Sequence, residues 1–326
     1  MAPFVIAVDL GGTNLRCALV NEAGDIVHRQ TEATAPGQGR DALVRRLAEG
    51  ILAMAHGAGL AADQIAAVGL GIPGLVELEE GRVVKAPNIP SLDGFRLGPA
   101  LSSLLPWPVV LDNDANLFAW GEAYRGAGQG EPNLLGITLG TGVGGGLVLD
   151  SKLWHGSRGT AAEIGHLTID PEGERCNCGN TGCLETLASA TWTVKWLLAR
   201  LQAGDPSSLA PLWQQAPQEL TARHIYQAAV AGDALAQQAL ARVGRALGIA
   251  IANVVHLLGI PTVILGGNFA KAWEQFIPAL EAELSRRLTF FPRSSLRLRQ
   301  AILGDNAGLV GAARLAREFS RGPGIC

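Results

Sequence analysis

The chain is 326 residues long and 48% hydrophobic, and 26 Lys and Arg against 29 Asp and Glu leave a formal net charge of −3. That length exceeds one compact core and the apolar content fills two, so a well-packed α/β globular protein of two domains is expected. Charge spread without long like-charge runs excludes the electrostatic footprint of a nucleic-acid or membrane-surface binder and leaves small polar ligands.

The chain starts "MAPFVIAVDLGG", without the basic and long apolar regions of a secretory signal, which points to a cytoplasmic protein. "FVIAVDLGGTNLRCALVN" predicts a hairpin, with strands over 4–10 and 15–20 around the turn Gly11, Gly12, Thr13, Asn14. Asp9 ends the first strand, where a carboxylate can hold Mg2+ or its water, and Arg16 adds positive charge nearby. Cys17, in an apolar strand, and Cys326, at the terminus, are far apart and read as core filler and exposed tail. Further strands are expected from Asp25 and Ile65, with a helix over 41–58 between them.

"WPVVLDNDANLFAWGEAY" predicts a strand to Leu111 and a helix from about Ala115. Of the residues between, one is an N-cap candidate. Asn113 and Asp114 also make a pair that can orient a hydroxyl and take its proton. "NLLGITLGTGVGGGLVLD" repeats the hairpin design, with strands over 134–139 and 146–149 and the tip 140–145. Its glycines lead into a strand and no Gly-Lys-Ser/Thr follows, so neither the dinucleotide nor the Walker pattern applies. Glycine tips can offer successive N–H groups to phosphate oxygens, with Thr13, Thr138 and Thr141 hydroxyls as added donors; ordinary turns are the alternative for either hairpin alone.

"GHLTIDPEGERCNCGNTGCLE" spends three of five cysteines within eight residues. Cys176, Cys178 and Cys183, with His166 ten residues upstream, make a Cys3His set suited to tetrahedral Zn2+. Four protein ligands close the shell, so the metal is expected to shape the loop rather than perform chemistry. The alternatives are three buried thiols with a hydrogen-bonded histidine, or a redox pair, which lacks its C-x-x-C. Glu163 and Glu185 are both tethered to this loop.

Beyond it, helices are expected over 186–201, 234–258, 269–288 and 307–319, and "AGDPSSLAPLWQQAPQ" reads as a surface insertion. The apolar run from Ile249 is interrupted by Asn253, His256 and Pro261 and divides into a helix and a strand over 261–265, against a membrane span.

On "DLGGTNLR", "LDNDAN", "LGTGVGGG", "EIGH", "CNCGNTGCLE" and "ILGGN" the chain resembles the ROK family of sugar kinases and sugar-responsive repressors, within the actin-like ATPase superfamily. "CNCGNTGCLETLASAT" is most like the bacterial glucokinases of that family. The resemblance implies a two-lobed actin-like (ribonuclease H-like) α/β fold with a structural zinc loop. Residues 1–112 would form the small lobe, with the helix 307–326 packing back on it, and residues 113–306 the large lobe. It implies ATP with Mg2+ as phosphoryl donor, a hexose as acceptor, Asp114 as general base for the 6-hydroxyl, and Asn113, Glu163, His166 and Glu185 on the other hydroxyls. Gly71, in "GLGIPG", falls where the family places a loop beside the sugar. Asp9, Gly11, Gly12, Thr13, Asn14, Thr138, Gly140, Thr141, Gly142, Gly266, Gly267 and Asn268 fall around the nucleotide. A homodimer is also implied. Glucose is the first substrate expected, with fructose, mannose, N-acetylmannosamine and N-acetylglucosamine as alternatives, and polyphosphate as the alternative donor. A repressor of the family would carry a helix-turn-helix ahead of the first hairpin, for which Asp9 leaves no room.

Overall fold

In the computed structural model, which describes residues 2–35, 37 and 39–322, the apolar N-terminal segment forms β1 (Phe4–Leu10). A meander follows through β2 (Asn14–Val20) and β3 (Ile26–Ala33), then α1 (Arg40–Gly57) and β4 (Ile65–Ile72). The short pair β5 (Leu75–Glu77) and β6 (Arg82–Lys85), α2 (Leu97–Ser102), β7 (Val109–Asn113) and α3 (Asp114–Arg125) complete this stretch. β4 and β7 join parallel to β1, giving the sheet order β3-β2-β1-β4-β7.

Next come β8 (Leu134–Leu139), β9 (Val143–Leu149) and β10 (Lys152–Trp154), then the helices α4 (Leu184–Ala188), α5 (Ala190–Gln202), α6 (Ala210–Gln215), α7 (Ala222–Val230) and α8 (Ala234–Leu258). β11 (Thr262–Gly266), α9 (Trp273–Arg287), β12 (Arg297–Gln300) and α10 (Ala307–Ser320) end the described chain. The second sheet runs β10-β9-β8-β11-β12.

The chain divides into two units: Met1–Pro132 with Gly146–Ala162 and Ile302–Cys326, and Asn133–Gly145 with Glu163–Ala301. The division therefore follows α3 and does not fall after residue 112, and the chain changes unit within β9.

In the first unit both faces of the sheet are buried, which the two-residue period of a strand turns into two cores. Ile6, Val8 and Leu10 pack with Leu43, Leu47, Ile51 and Met54 of α1. Val5 and Ala7 face the other way, onto Leu117 of α3 and Leu309, Ala312 and Ala316 of α10. Cys17 is core filler: it is buried, and that burial pushes its thiol up to about 12. Cys326 and the end of the expected terminal helix lie outside the described residues.

In the second unit β8, β11 and β12 pair in parallel, with Ile264 between Gly136 and Arg299. α8 is long and apolar enough by length and composition to cross a membrane. Its face of Leu240, Val243, Leu247 and Ile251 is fully buried, and its glycines 244 and 248 meet the backbone of α9. Asp233 caps its start by accepting the Ala236 N–H, and Gly259 ends it in the left-handed conformation.

Three expectations need correction. The helix over 186–201 is two helices, broken where Ser189 turns extended, caps α5 through the Trp192 N–H and frees the Ala190 N–H to reach the Gly140 carbonyl. β9 begins at Val143, so the second tip is only residues 140–142. The helix over 269–288 opens with a short 3-10 turn before α9.

Candidate functional site

In the first unit the β1–β2 tip is tight: the Gly11 N–H donates to the Asn14 carbonyl at 2.8 Å. Buried Thr34 braces it from outside, its hydroxyl on the Gly11 carbonyl at 2.6 Å and its N–H on that of Thr13 at 2.8 Å. Gly12 packs against Asn88, while Thr13 and Asn14 are exposed, with Asn14 already in β2. Asp9 pairs across the hairpin with Arg16, whose Nη1 donates to Oδ2 at 2.8 Å. Burial raises the Asp9 carboxyl above its ordinary range, against the Arg16 hydrogen bond and charge, which pull it down. A desolvated carboxylate with one oxygen hydrogen-bonded to Arg16 is a hard oxygen donor of the kind Mg2+ takes.

β7 ends in the same unit, parallel to β4, so Gly71 lies beside Asp112 and Ile72 beside Asn113. Gly71 is buried beneath α3: a side chain there would meet Leu117 and the Cα of Asp114. The cap is Asn113, whose Oδ1 accepts the N–H groups of Ala115 and Asn116 while its Nδ2 donates to the Gly74 carbonyl at 2.8 Å. One amide hydrogen remains for a ligand. Asp114 is thereby released from capping; as the first residue of α3, half-buried, it accepts its neighbour's N–H (Ala115) at 2.9 Å.

Two residues at this junction were missed in the sequence. Asp112, only 1% exposed, has Oδ2 2.6 Å from His155 Nε2, and its Oδ1 accepts from the Asn113 N–H and Asn116 Nδ2. Asp112 carried a local signal, as a third polar residue in "LDNDAN", but nothing in the spacing ties it to a histidine 43 positions on.

In the second unit the β8–β9 tip is fixed by the Gly140 N–H on the Gly142 carbonyl at 3.0 Å and the Ala190 N–H on the Gly140 carbonyl at 2.9 Å. Thr138 is half-buried in β8 and Thr141 exposed at the tip. Gly266 closes β11, and the turn at Gly267, with φ of +87°, lies against the Leu139 carbonyl, so the two glycine turns are neighbours. Asn268 accepts from Lys271 Nζ at 2.9 Å.

The cysteine loop of this unit holds four ligand atoms, from His166, Cys176, Cys178 and Cys183, all within 4.8 Å of one another. Cys178 Sγ is 3.7 Å from Cys183 Sγ, and Cys176 Sγ is 3.8 Å from His166 Nδ1. A zinc tetrahedron with bonds of about 2.3 Å has edges of about 3.8 Å, so the donors fit that ion. Desolvation and the two neighbouring thiols push Cys183 up to about 12, a cost that a divalent cation removes. The loop's own turns are backbone-bonded: Ile169 and Asp170 N–H reach the Gly182 carbonyl, and Cys176 N–H reaches that of Asn180. Gly182, with φ of +69°, sits where any side chain would strike the Asp170 carbonyl.

Both tethered carboxylates flank this cluster. Glu185 Oε2 accepts the Val143 N–H at 3.0 Å, and Oε1 is 4.0 Å from Cys176 Sγ. Glu163 is exposed over the residue as a whole, yet desolvation, opposed by His166 and reinforced by Glu185, raises its carboxyl. The sequence-predicted residues thus assemble into two sets, one in each unit.

Residues 5–319 match the ROK family. The glucokinase of Halalkalibacterium halodurans is 36% identical over 314 residues, 96% of this chain and 94% of that protein. The crystal structure of a ROK family glucokinase from Streptomyces griseus, in complex with glucose and AMPPNP, aligns with a TM-score of 0.82 at 34% identity, covering 97% of this chain and 99% of the other. A ROK family transcriptional regulator, homologue of the E. coli MLC protein, aligns with a TM-score of 0.86 at 30% identity, covering 98% of this chain and 79% of the regulator.

Proposed function

Because the chain belongs to the ROK family, we propose that it is an ATP-dependent sugar kinase that phosphorylates the 6-hydroxyl of a hexose, glucose first. The observation that carries this reading is Asp114: a half-buried carboxylate on the first turn of the helix that follows a sheet strand, beside the capping Asn113 and a buried polar network. A regulator needs to bind sugar but has no use for a proton acceptor held in this way.

Asp114 takes the proton of the attacking hydroxyl, and the remaining hydrogen of the Asn113 amide orients the sugar. Glu163, Glu185 and the ring nitrogen of His166 not turned to the thiols hydrogen-bond the other hydroxyls. His166 Nδ1, Cys176, Cys178 and Cys183 would hold zinc, which would supply a fixed loop and a fixed histidine tautomer. The N–H groups of the two tips, residues 11–14 and 140–142, and of residues 266–268 receive the phosphates, with the Thr13, Thr138 and Thr141 hydroxyls as further donors. Asp9 is the residue to hold Mg2+ or its water, and the ion supplies neutralisation of the charge that spreads over the transferred phosphoryl group. Water competes with the sugar as acceptor, so sugar binding is needed before Asp114 is aligned. Fructose, mannose and the N-acetylhexosamines are the other acceptors to weigh, and polyphosphate the other donor.

Initial rates across a panel of hexoses, each with ATP and with polyphosphate, test the reading. Phosphorylation of glucose with ATP, well above the sugar-independent ATPase rate, is expected. No transfer to any hexose from either donor, with sugar binding retained, would favour the regulator instead.

A further inference from the structure

Behind the base the structure places His155, a side chain that neither spacing nor resemblance points to. Asp112 is buried, and an ionised carboxylate there needs hydrogen-bond donors for each oxygen. Oδ1 takes two, the Asn113 N–H at 2.7 Å and Asn116 Nδ2 at 3.0 Å, from the residues on either side of the first turn that carries Asp114. Oδ2 faces His155 Nε2 at 2.6 Å. The backbone that carries this imidazole is itself held: it follows β10, where Trp154 pairs with Leu147, and the His155 carbonyl accepts the Ala161 N–H at 3.1 Å. Beside it, the backbone of β9 lies so close to the first turn of α3 that a side chain at Gly146 would strike the Ala115 carbonyl and the Ala119 methyl. The turn therefore has a wall on one side and a tether on the other.

We propose that His155 is a positioning residue for phosphoryl transfer, acting through Asp112 to hold Asn113 and Asp114 where the sugar hydroxyl is deprotonated; this rests on the kinase reading above. Without the imidazole, Oδ2 is left buried and without that donor, and the carboxylate can recover one only by rotating. Rotation withdraws Oδ1 from the Asn113 N–H and from Asn116, and the strand-to-helix turn relaxes with it. A displacement of about 1 Å at the reacting group costs on the order of 10²-fold in rate. The sugar-holding carboxylates Glu163 and Glu185 belong to other segments and only Asn113 of the sugar contacts depends on this network, so affinity should fall less than turnover.

The test compares wild type, His155→Ala, His155→Gln, Asp112→Asn and the double variant His155→Ala with Asp112→Asn, measuring kcat with saturating glucose and ATP and, separately, equilibrium glucose binding. His155→Ala should lower kcat by about 10²-fold and weaken glucose binding by a much smaller factor. Glutamine, which carries an amide nitrogen to a similar reach, should restore most of that loss. Asp112→Asn should add little on top of His155→Ala, because both act through one hydrogen bond. If the alanine variant does not fold, glutamine against asparagine at 155 separates reach from mere bulk, with asparagine expected to remain slow. The inference is overturned if wild type turns over and His155→Ala keeps its kcat. It is overturned equally if kcat falls only with the folded fraction, or if glutamine rescues nothing. A wild type that transfers phosphate to no hexose overturns the kinase reading first and this inference with it.

Discussion

At the 112–116 junction polar side chains are fixed by burial. Asp112 accepts from the Asn113 N–H and Asn116 Nδ2, and Asn113 accepts the first N–H groups of α3, between a sheet strand and a helix. The 167–183 loop has only turns and isolated bridges, pairing Thr168 with Cys183 and Arg175 with Thr181, and it converges on four metal-ligand side chains. The junction borrows its rigidity from a core, and the loop has to import it. Geometry near water can be fixed either by many weak bonds inside a packed fold or by a few strong ones at a single ion.

Removing the acting group at the junction gives the largest expected effect. Asp114→Ala should cut turnover by about 10²–10⁴-fold while metal content stays at wild type, measured by steady-state rates and elemental analysis; near-normal turnover would break the assignment. Asp9→Asn tests the neighbouring hairpin, and a loss of about 10²-fold is expected there. Its stability has the opposite sense. A carboxyl whose folded pKa is raised adds stability below its unfolded pKa, about 3.9, and that gain is lost as pH rises through the folded value. Above that folded value the gain is gone, and there the asparagine variant should melt no lower than wild type.

For the loop, Cys176→Ala or chelation should release zinc and raise the sugar KM more than it lowers kcat. Hydrogen exchange sharpens the contrast: residues 167–183 should lose protection while residues 112–116 keep theirs, and loss at both would mean that the two regions are not independently held. The smallest effect is expected far from either. Burial raises the Asp233 carboxyl, but the Ala236 and Ser208 N–H groups and the Ser207 and Ser208 hydroxyls together bring it below its ordinary range. Its stabilisation is present above the unfolded pKa and is lost as pH falls through the folded one. Asp233→Ala should therefore cost about 1 kcal/mol at neutral pH and less in acid, read from denaturant unfolding.

The same contrast governs what could be read from the sequence. A metal cluster is written in residue type and local spacing, so His166, Cys176, Cys178 and Cys183 were legible and the structure brings them together. α8 was legible end to end, because a long periodic segment between Asp233 and Gly259 carries its own start and stop signals. The junction was half legible: the string showed three polar residues, but which one caps was decided by Gly74, and Asp112 found its partner in a residue after β10. The break at Ser189 was hidden for the same reason, since its cause is the distant Gly140 carbonyl. Local chemistry leaves a trace in the string, whereas a bond between segments far apart leaves none.

The packing of α10 sets an order of assembly. Val5, Ala7, Ala18 and Val20 are made roughly 300 residues before their cover, Leu309, Ala312, Ala313 and Ala316. During synthesis one side of the first sheet stays bare until α10 has been made, by which time the 163–301 stretch is already complete. The nascent chain thus keeps the β1–β2 face a sticky apolar surface through all the synthesis between, and there a chaperone has most reason to wait.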